Sequence, residues 1–211
     1  MIIAIESASS DPSLALASTD GVAFATDGWT GEGRQASELL PRLLVLLARA
    51  GHELHEATAL AVGVGPGSFT GLRVSMSLAK GMALALRVPV VGVPSLEAWL
   101  EAEPRAAAAV ARAGAQDAYL LTRGAMEPQI VAASDLPGLI GGSLAAAPSE
   151  LGQAFGIRGT VPPHEAASAV ARLAAARLSK APDGDDLARL EPWYVRAPRG
   201  VPSQEAVSGW P

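Results

Sequence analysis

Gly65-Pro66-Gly67-Ser68-Phe69-Thr70-Gly71 is the stretch on which the reading of the chain turns. An apolar run, residues 57–64, leads into it, and a long apolar segment, residues 72–86, leads out. The first reads as a buried strand and the second as a helix. The three glycines let the backbone turn sharply between them, and Pro66 fixes one φ angle. Ser68 or Thr70 can cap the helix. A strand, a glycine turn and a helix N-terminus together also suit an anion. That gives Gly65, Gly67, Ser68, Thr70 and Gly71 two readings: a phosphate or nucleotide contact, or a tight turn whose glycines allow close packing. The spacing is G-x-G-x-x-x-G, which is neither the dinucleotide fingerprint nor a P-loop, so the packing reading is preferred.

The bulk composition narrows the classes. The chain has 211 residues, 49% hydrophobic and 18% charged but only 4% aromatic, as expected of a globular protein with an Ala/Leu/Val core. Its net charge of -5 argues against unaided nucleic-acid binding. There is no cysteine, which excludes disulfides, thiol catalysis and cysteine-ligated zinc. The N-terminus reads Met1-Ile2-Ile3-Ala4-Ile5-Glu6, without a basic start and with an early charge, unlike a signal peptide. Arg73, Lys80 and Arg87 interrupt the most apolar helix, so no membrane span is expected. The expectation is a cytoplasmic protein.

Outward from the glycine turn, residues 2–6 form a short strand covered on both faces. Residues 13–18 and 22–26 flank an Asp20-Gly21 turn and read as a hairpin. A helix over residues 37–50 carries leucines on more than one stripe, with Pro41 near its start. Residues 89–93 are another buried strand, and Ser95 is expected to cap a helix to Leu100. An antiparallel hairpin joined to parallel crossovers is a mixed α/β sheet with helices on both faces. That order fits the ribonuclease-H-like half of the actin, sugar-kinase and Hsp70 superfold.

Beyond residue 103 the patterning weakens. Residues 107–112, 118–122 and 129–132 are candidate short strands, and residues 163–180 form a clearer helix. The expected organisation is a first lobe over 1–103 and a smaller second lobe over 104–196. The second lobe would contain the closing helix, and a tail over 197–211 would be poorly ordered.

Residues 61–73, followed by Ala79-Lys80-Gly81, resemble the signature of the TsaB (YeaZ) family. The opening Ile3-Ala4-Ile5-Glu6-Ser7-Ala8, the segment 34–41, Val91-Gly92-Val93-Pro94-Ser95-Leu96 and Pro192-Trp193-Tyr194-Val195-Arg196 are similar to it as well. The resemblance is dense over residues 1–100. It implies an actin-like protein of two lobes working in the synthesis of threonylcarbamoyladenosine. This is the modified base beside the anticodon of tRNAs that read codons starting with A.

The resemblance further implies a non-catalytic scaffold subunit that binds and activates the TsaD-type transferase. A TsaE-type ATPase would join the larger complex, with tRNA reached only through that complex. ATP and a metal ion would then belong to the partner subunits, and a homodimer is implied through the same helical face. The catalytic paralogue carries an Asn-His-x-x-Gly-His metal motif where this chain reads Val93-Pro94-Ser95-Leu96-Glu97-Ala98. The first two helices have apolar faces wider than one sheet needs to cover. Leu39, Leu43, Leu46, Val74, Leu78 and Met82 are the candidate partner contacts, each weighed against an ordinary core role.

The chain departs from the family pattern at three places: Glu6 stands for Asp, Ala36 for His, and Arg112-Ala113-Gly114 for Asp-Ala-Arg. An alternative reading is an active phosphotransferase of the same superfold, with Glu6 and Asp11 as its carboxylates. A peptidase is a more remote one, because no metal motif or nucleophile elbow is present. His52 and His55, beside Glu53 and Glu56, read as a solvated loop rather than a metal cluster.

Overall fold

The computed structural model describes residues 1–30, 35–157, 159–161 and 163–193, so Tyr194 to Arg196 and the expected tail over 197–211 lie outside it. The first sheet takes β1 (Ile2–Glu6), β2 (Ser13–Ala17), β3 (Ala23–Gly28), β4 (Ala59–Gly65) and β5 (Val90–Pro94). Their order is β3-β2-β1-β4-β5. β1, β2 and β3 pair antiparallel, whereas β4 and β5 run parallel to β1. This is the mixed ribonuclease-H-like sheet expected from the element order.

Side-chain alternation along β1 divides the core. Ile3 and Ile5 face α1 (Gln35–Ala50) and α2 (Phe69–Leu86), packing with Leu39, Leu43, Met76 and Ala79. Ile2 and Ala4 face the other way, onto α6 (Ala166–Leu178), among Ala15, Ala61, Ala171 and Ala174. That second interface is built almost entirely from small residues, which lets helix and sheet come close. At Gly21 a β-carbon would lie 2.8 Å from the Arg172 Cα. The sequence reading grouped the closing helix with the second lobe; the structure seats it on the first sheet instead.

The second sheet joins β6 (Ala108–Arg112), β7 (Asp117–Thr122), β8 (Gln129–Ala132), β9 (Ala145–Ala146) and β10 (Thr160–Val161), in the order β10-β9-β6-β7-β8. Two short helices, α4 (Leu136–Ile140) and α5 (Ser149–Ala154), supply Leu136, Ile140 and Leu151 to a core on one of its faces. Its other face meets α3 (Ser95–Ala102): Trp99, Leu96 and Leu72 pack against Ala109, Tyr119 and Leu121. This shared core joins the two sheets.

The outer edge of β5 is closed by the segment that follows α6. The Asp185 amide donates to the Val90 carbonyl at 2.8 Å, and the Asp185 carboxylate accepts from the Gly92 amide at 2.7 Å. Arg177 holds that carboxylate at 2.6 Å and donates to the Gly92 carbonyl. A covered edge offers no free ladder for another strand. Asp185→Ala leaves the Gly92 amide and Arg177 without this partner, so a loss of about 1–3 kcal/mol is expected in urea unfolding.

Candidate functional site

The glycine turn is filled by the protein itself. Gly65 sits at φ +100°, and its amide donates to Ser95 Oγ at 3.0 Å. A β-carbon on Gly67 would lie 2.2 Å from the Ala8 carbonyl oxygen, and one on Gly71 would lie 2.0 Å from that of Ser7. The Ser68 amide donates to the Ala8 carbonyl at 2.6 Å. Ser68 Oγ caps α2 by accepting from the Gly71 amide, and Ser7 Oγ donates to the Gly71 carbonyl at 2.8 Å. Thr70 is exposed. These glycines therefore bring the turn against the backbone of Ser7 and Ala8, and the helix cap is satisfied within the chain. Ser95, expected to cap α3, is buried as its first residue and serves Gly65 instead.

Two buried carboxyls lie near this turn. Glu6 is 1% exposed and accepts from the Ala8 amide at 2.7 Å. Burial pushes its carboxyl up to about 7, against the pull of the Ala8 amide and of the Ser95 and Trp99 donors. Asp11 is equally buried and accepts from Thr30 at 3.1 Å. Burial raises its pKa too; Thr30 and the nearby His164 act against the rise, and Glu150 adds to it. Glu150 in turn accepts from Ser10 at 2.7 Å, tying the loop after β1 to α5. His52 and His55 pair with Glu56 and Glu53 on an exposed turn. Among the described residues no group of three or more His, Asp or Glu is placed to hold a metal.

Several of the exposed large apolar side chains lie on α1 and α2. Of the six residues expected to face a partner, Leu39, Leu43, Leu46 and Met82 are buried against the first sheet. That is a correction: these four make the core stripe, because α1 is apolar on two sides and they occupy the inner one. Val74 and Leu78 are partly exposed. The outer stripe belongs to residues the sequence reading passed over: Leu40 is 40% exposed, Leu44 48%, Val45 49% and Leu84 72%. Leu40, Arg73, Val74, Ser77 and Leu78 line a shallow groove of about 430 Å³ between the two helices. Adjacent leucines at 39/40 and 43/44 carry both stripes, and only packing shows that the first of each pair turns inward; Leu46 and Leu47 are both buried.

Comparison with known proteins places these features in context. A model of the family described as TsaD, tRNA N6-adenosine threonylcarbamoyltransferase, matches residues 33–138. The chain is 43% identical over 58 residues to the tRNA threonylcarbamoyladenosine biosynthesis protein TsaB of Escherichia coli, covering 28% of this chain and 25% of that one. It is 31% identical over 112 residues to a tRNA N6-adenosine threonylcarbamoyltransferase of Neorickettsia sennetsu, covering 47% of this chain and 34% of that one. The match thus spans about a quarter of the TsaB relative and a third of the transferase. Among solved structures, YeaZ from Pseudomonas aeruginosa superimposes with a TM-score of 0.70 at 22% identity, over 92% of this chain and 99% of that one. That likeness concerns the fold, which is the actin-like type. No described helix is long and apolar enough to cross a membrane.

Proposed function

The chain belongs to the family described as TsaD, tRNA N6-adenosine threonylcarbamoyltransferase; from that premise we propose that it is a TsaB-type member, a non-catalytic scaffold of threonylcarbamoyladenosine synthesis. In this reading it binds and activates a TsaD-type transferase through α1 and α2. A TsaE-type ATPase joins the pair, and tRNA is met only through the complex. ATP and the metal ion are held by those partners. The same face forms a homodimer that the transferase displaces.

The observation that carries the reading is the outer stripe of α1 and α2. Leu40, Val74 and Leu78 line the groove between the two helices, and Leu44 and Val45 of α1 and Leu84 of α2 are further exposed apolar side chains on the same pair of helices. Apolar side chains arranged along two adjacent helices suit an isologous or pseudo-isologous helix contact, which buries them on association. The rival phosphotransferase reading would need Glu6 and Asp11 open to substrate and metal. Both are 1% exposed, Glu6 bonded to the Ala8 amide of its own loop and Asp11 to Thr30 after β3, which favours the scaffold.

Size-exclusion chromatography with light scattering on this chain, its TsaD-type partner and their mixture tests the proposal. A one-to-one complex is expected from the wild-type chain. Leu40→Glu and Leu78→Glu place a charge in the contact and are expected to weaken it by roughly a hundredfold, about 3 kcal/mol, while circular dichroism shows a retained fold. Absence of a wild-type complex would remove the proposal. Unchanged affinity in both variants would move the interface off this face.

A further inference from the structure

Glu6 closes the first strand, and the scaffold reading makes no use of its side chain. Its Oε1 accepts from the Ala8 amide, and its Oε2 lies over Gly63. A β-carbon at Gly63 would stand 1.9 Å from Oε2 and 2.8 Å from Ser95 Oγ, so a glycine there is what leaves room for the carboxyl beside the hydroxyl. Ser95 Oγ already accepts from the Gly65 amide, which leaves its own proton available. The Ser95 hydroxyl and the Trp99 indole both lie near enough to favour the Glu6 anion. Yet Glu6 Oε2 and Trp99 Nε1 are buried, and neither has a partner in hydrogen-bond geometry among the described residues.

Two complementary buried atoms that stop short of each other define two arrangements. A carboxylate pulls the indole N–H and the hydroxyl toward it, because each donor stabilises the charge. A neutral acid exerts no such pull. All the groups acting on Glu6 are themselves neutral: the Ser7 and Ala8 amides, the Ser95 hydroxyl and the Trp99 indole. No opposite charge locks it in one state, so burial and these donors alone set its proton.

The position gives the proton something to act on. Ser95 holds the glycine turn through Gly65. Trp99 is fully buried in the core that joins α2 and α3 to β6, β7 and β9. Glu6 therefore faces the turn through one donor and the packing of the second sheet through the other. We propose that Glu6, Ser95 and Trp99 form a proton-operated coupling between the glycine turn and the core shared by the two sheets. When Glu6 ionises, the indole and the hydroxyl close on Oε2; when it is neutral, they are released.

The test is the ¹H–¹⁵N spectrum of the uniformly labelled full chain, which carries four indoles. The Trp99 signal is assigned by elimination with Trp29→Phe, Trp193→Phe and Trp210→Phe, which leave the group itself in place. Between about pH 5.5 and 8.5 the Trp99 indole proton is expected to move downfield as the pH rises, since a charge-assisted bond forms. The midpoint is expected at about 7. The Gly65 amide signal is expected to follow with the same midpoint. Glu6→Gln is expected to abolish both movements, and Asp11→Asn to leave them in place. A Trp99 signal that stays still in the wild type overturns the proposal, as does one that titrates equally in Glu6→Gln. If Glu6→Gln fails to fold, the Asp11→Asn titration decides: retention of the movement supports Glu6 as its source, and loss of it overturns the assignment.

Discussion

Gly71→Ala is expected to cost about 3 kcal/mol or more of stability, while Gly81→Ala in the same helix is expected to add about 0.5–1 kcal/mol. The chemical change is one methyl group in each case. On Gly71 that methyl would sit 2.0 Å from the Ser7 carbonyl oxygen, whose own position is fixed by β1. Backbone cannot step aside as a flexible side chain does. Either the first turn of α2 lifts away from the loop after β1, or the Ser7–Gly71 and Ser68–Ala8 hydrogen bonds break. Gly81 lies on the exposed side of α2 with open space around its missing β-carbon. There the substitution only removes backbone freedom from the unfolded chain. Paired urea titrations of the two variants measure the contrast. Equal stabilities would mean that the glycine turn is not pinned against the first loop.

Glu6→Gln is expected to remove most of a pH dependence that the wild type shows between about pH 4.5 and 7. The sign follows from the proton count. Glu6 in the folded chain binds its proton up to about 7, whereas the unfolded side chain releases it around its ordinary value of 4.5. The folded state therefore holds more protons across this window, and stability falls as the pH rises. Glu6 stabilises the fold fully below the lower value, and that contribution is lost through the upper one. The full difference is about 3 kcal/mol. Glutamine keeps the shape and has no proton to lose. Relative to the wild type, Glu6→Gln is expected to gain about 3 kcal/mol between pH 4.5 and pH 8. Urea unfolding at a series of pH values measures it, and parallel curves for the two proteins would contradict it. Asp11, raised by burial as well, acts in the same direction and leaves a residual slope in the variant.

Much of the first sheet is legible in the sequence. The wholly apolar run from Ile2 to Ile5, the Asp20-Gly21 turn and the apolar run into Gly65 are local signals, and each produced its strand. Strand β3 instead begins one residue later than read, at Ala23, and leaves Val22 64% exposed beyond the turn. The second sheet was legible only in β6, β7 and β8. Strands β9 and β10 have two residues each, and α4 and α5 five and six, too short for a period to show. They exist because neighbouring strands and the core around Leu136 and Leu151 hold them.

The sequence by itself determined the family, the mixed sheet around the glycine turn and the presence of two leucine-rich helices. Those rest on residue types at fixed spacing along the chain, which local backbone preferences and side-chain periodicity convert directly into elements. Tertiary structure alone decided which leucines are buried. Leu39 and Leu40 are indistinguishable in type, but one helical step turns the first onto the sheet and the second 40% into solvent. It alone seated α6 on the first sheet, since that contact joins residues as far as 154 positions apart, in the Ala167–Ser13 hydrogen bond. And it alone gathered Glu6, Ser95 and Trp99 from separate elements into one buried group. Long-range packing chooses among partners of equal local merit, and no window along the chain contains that choice.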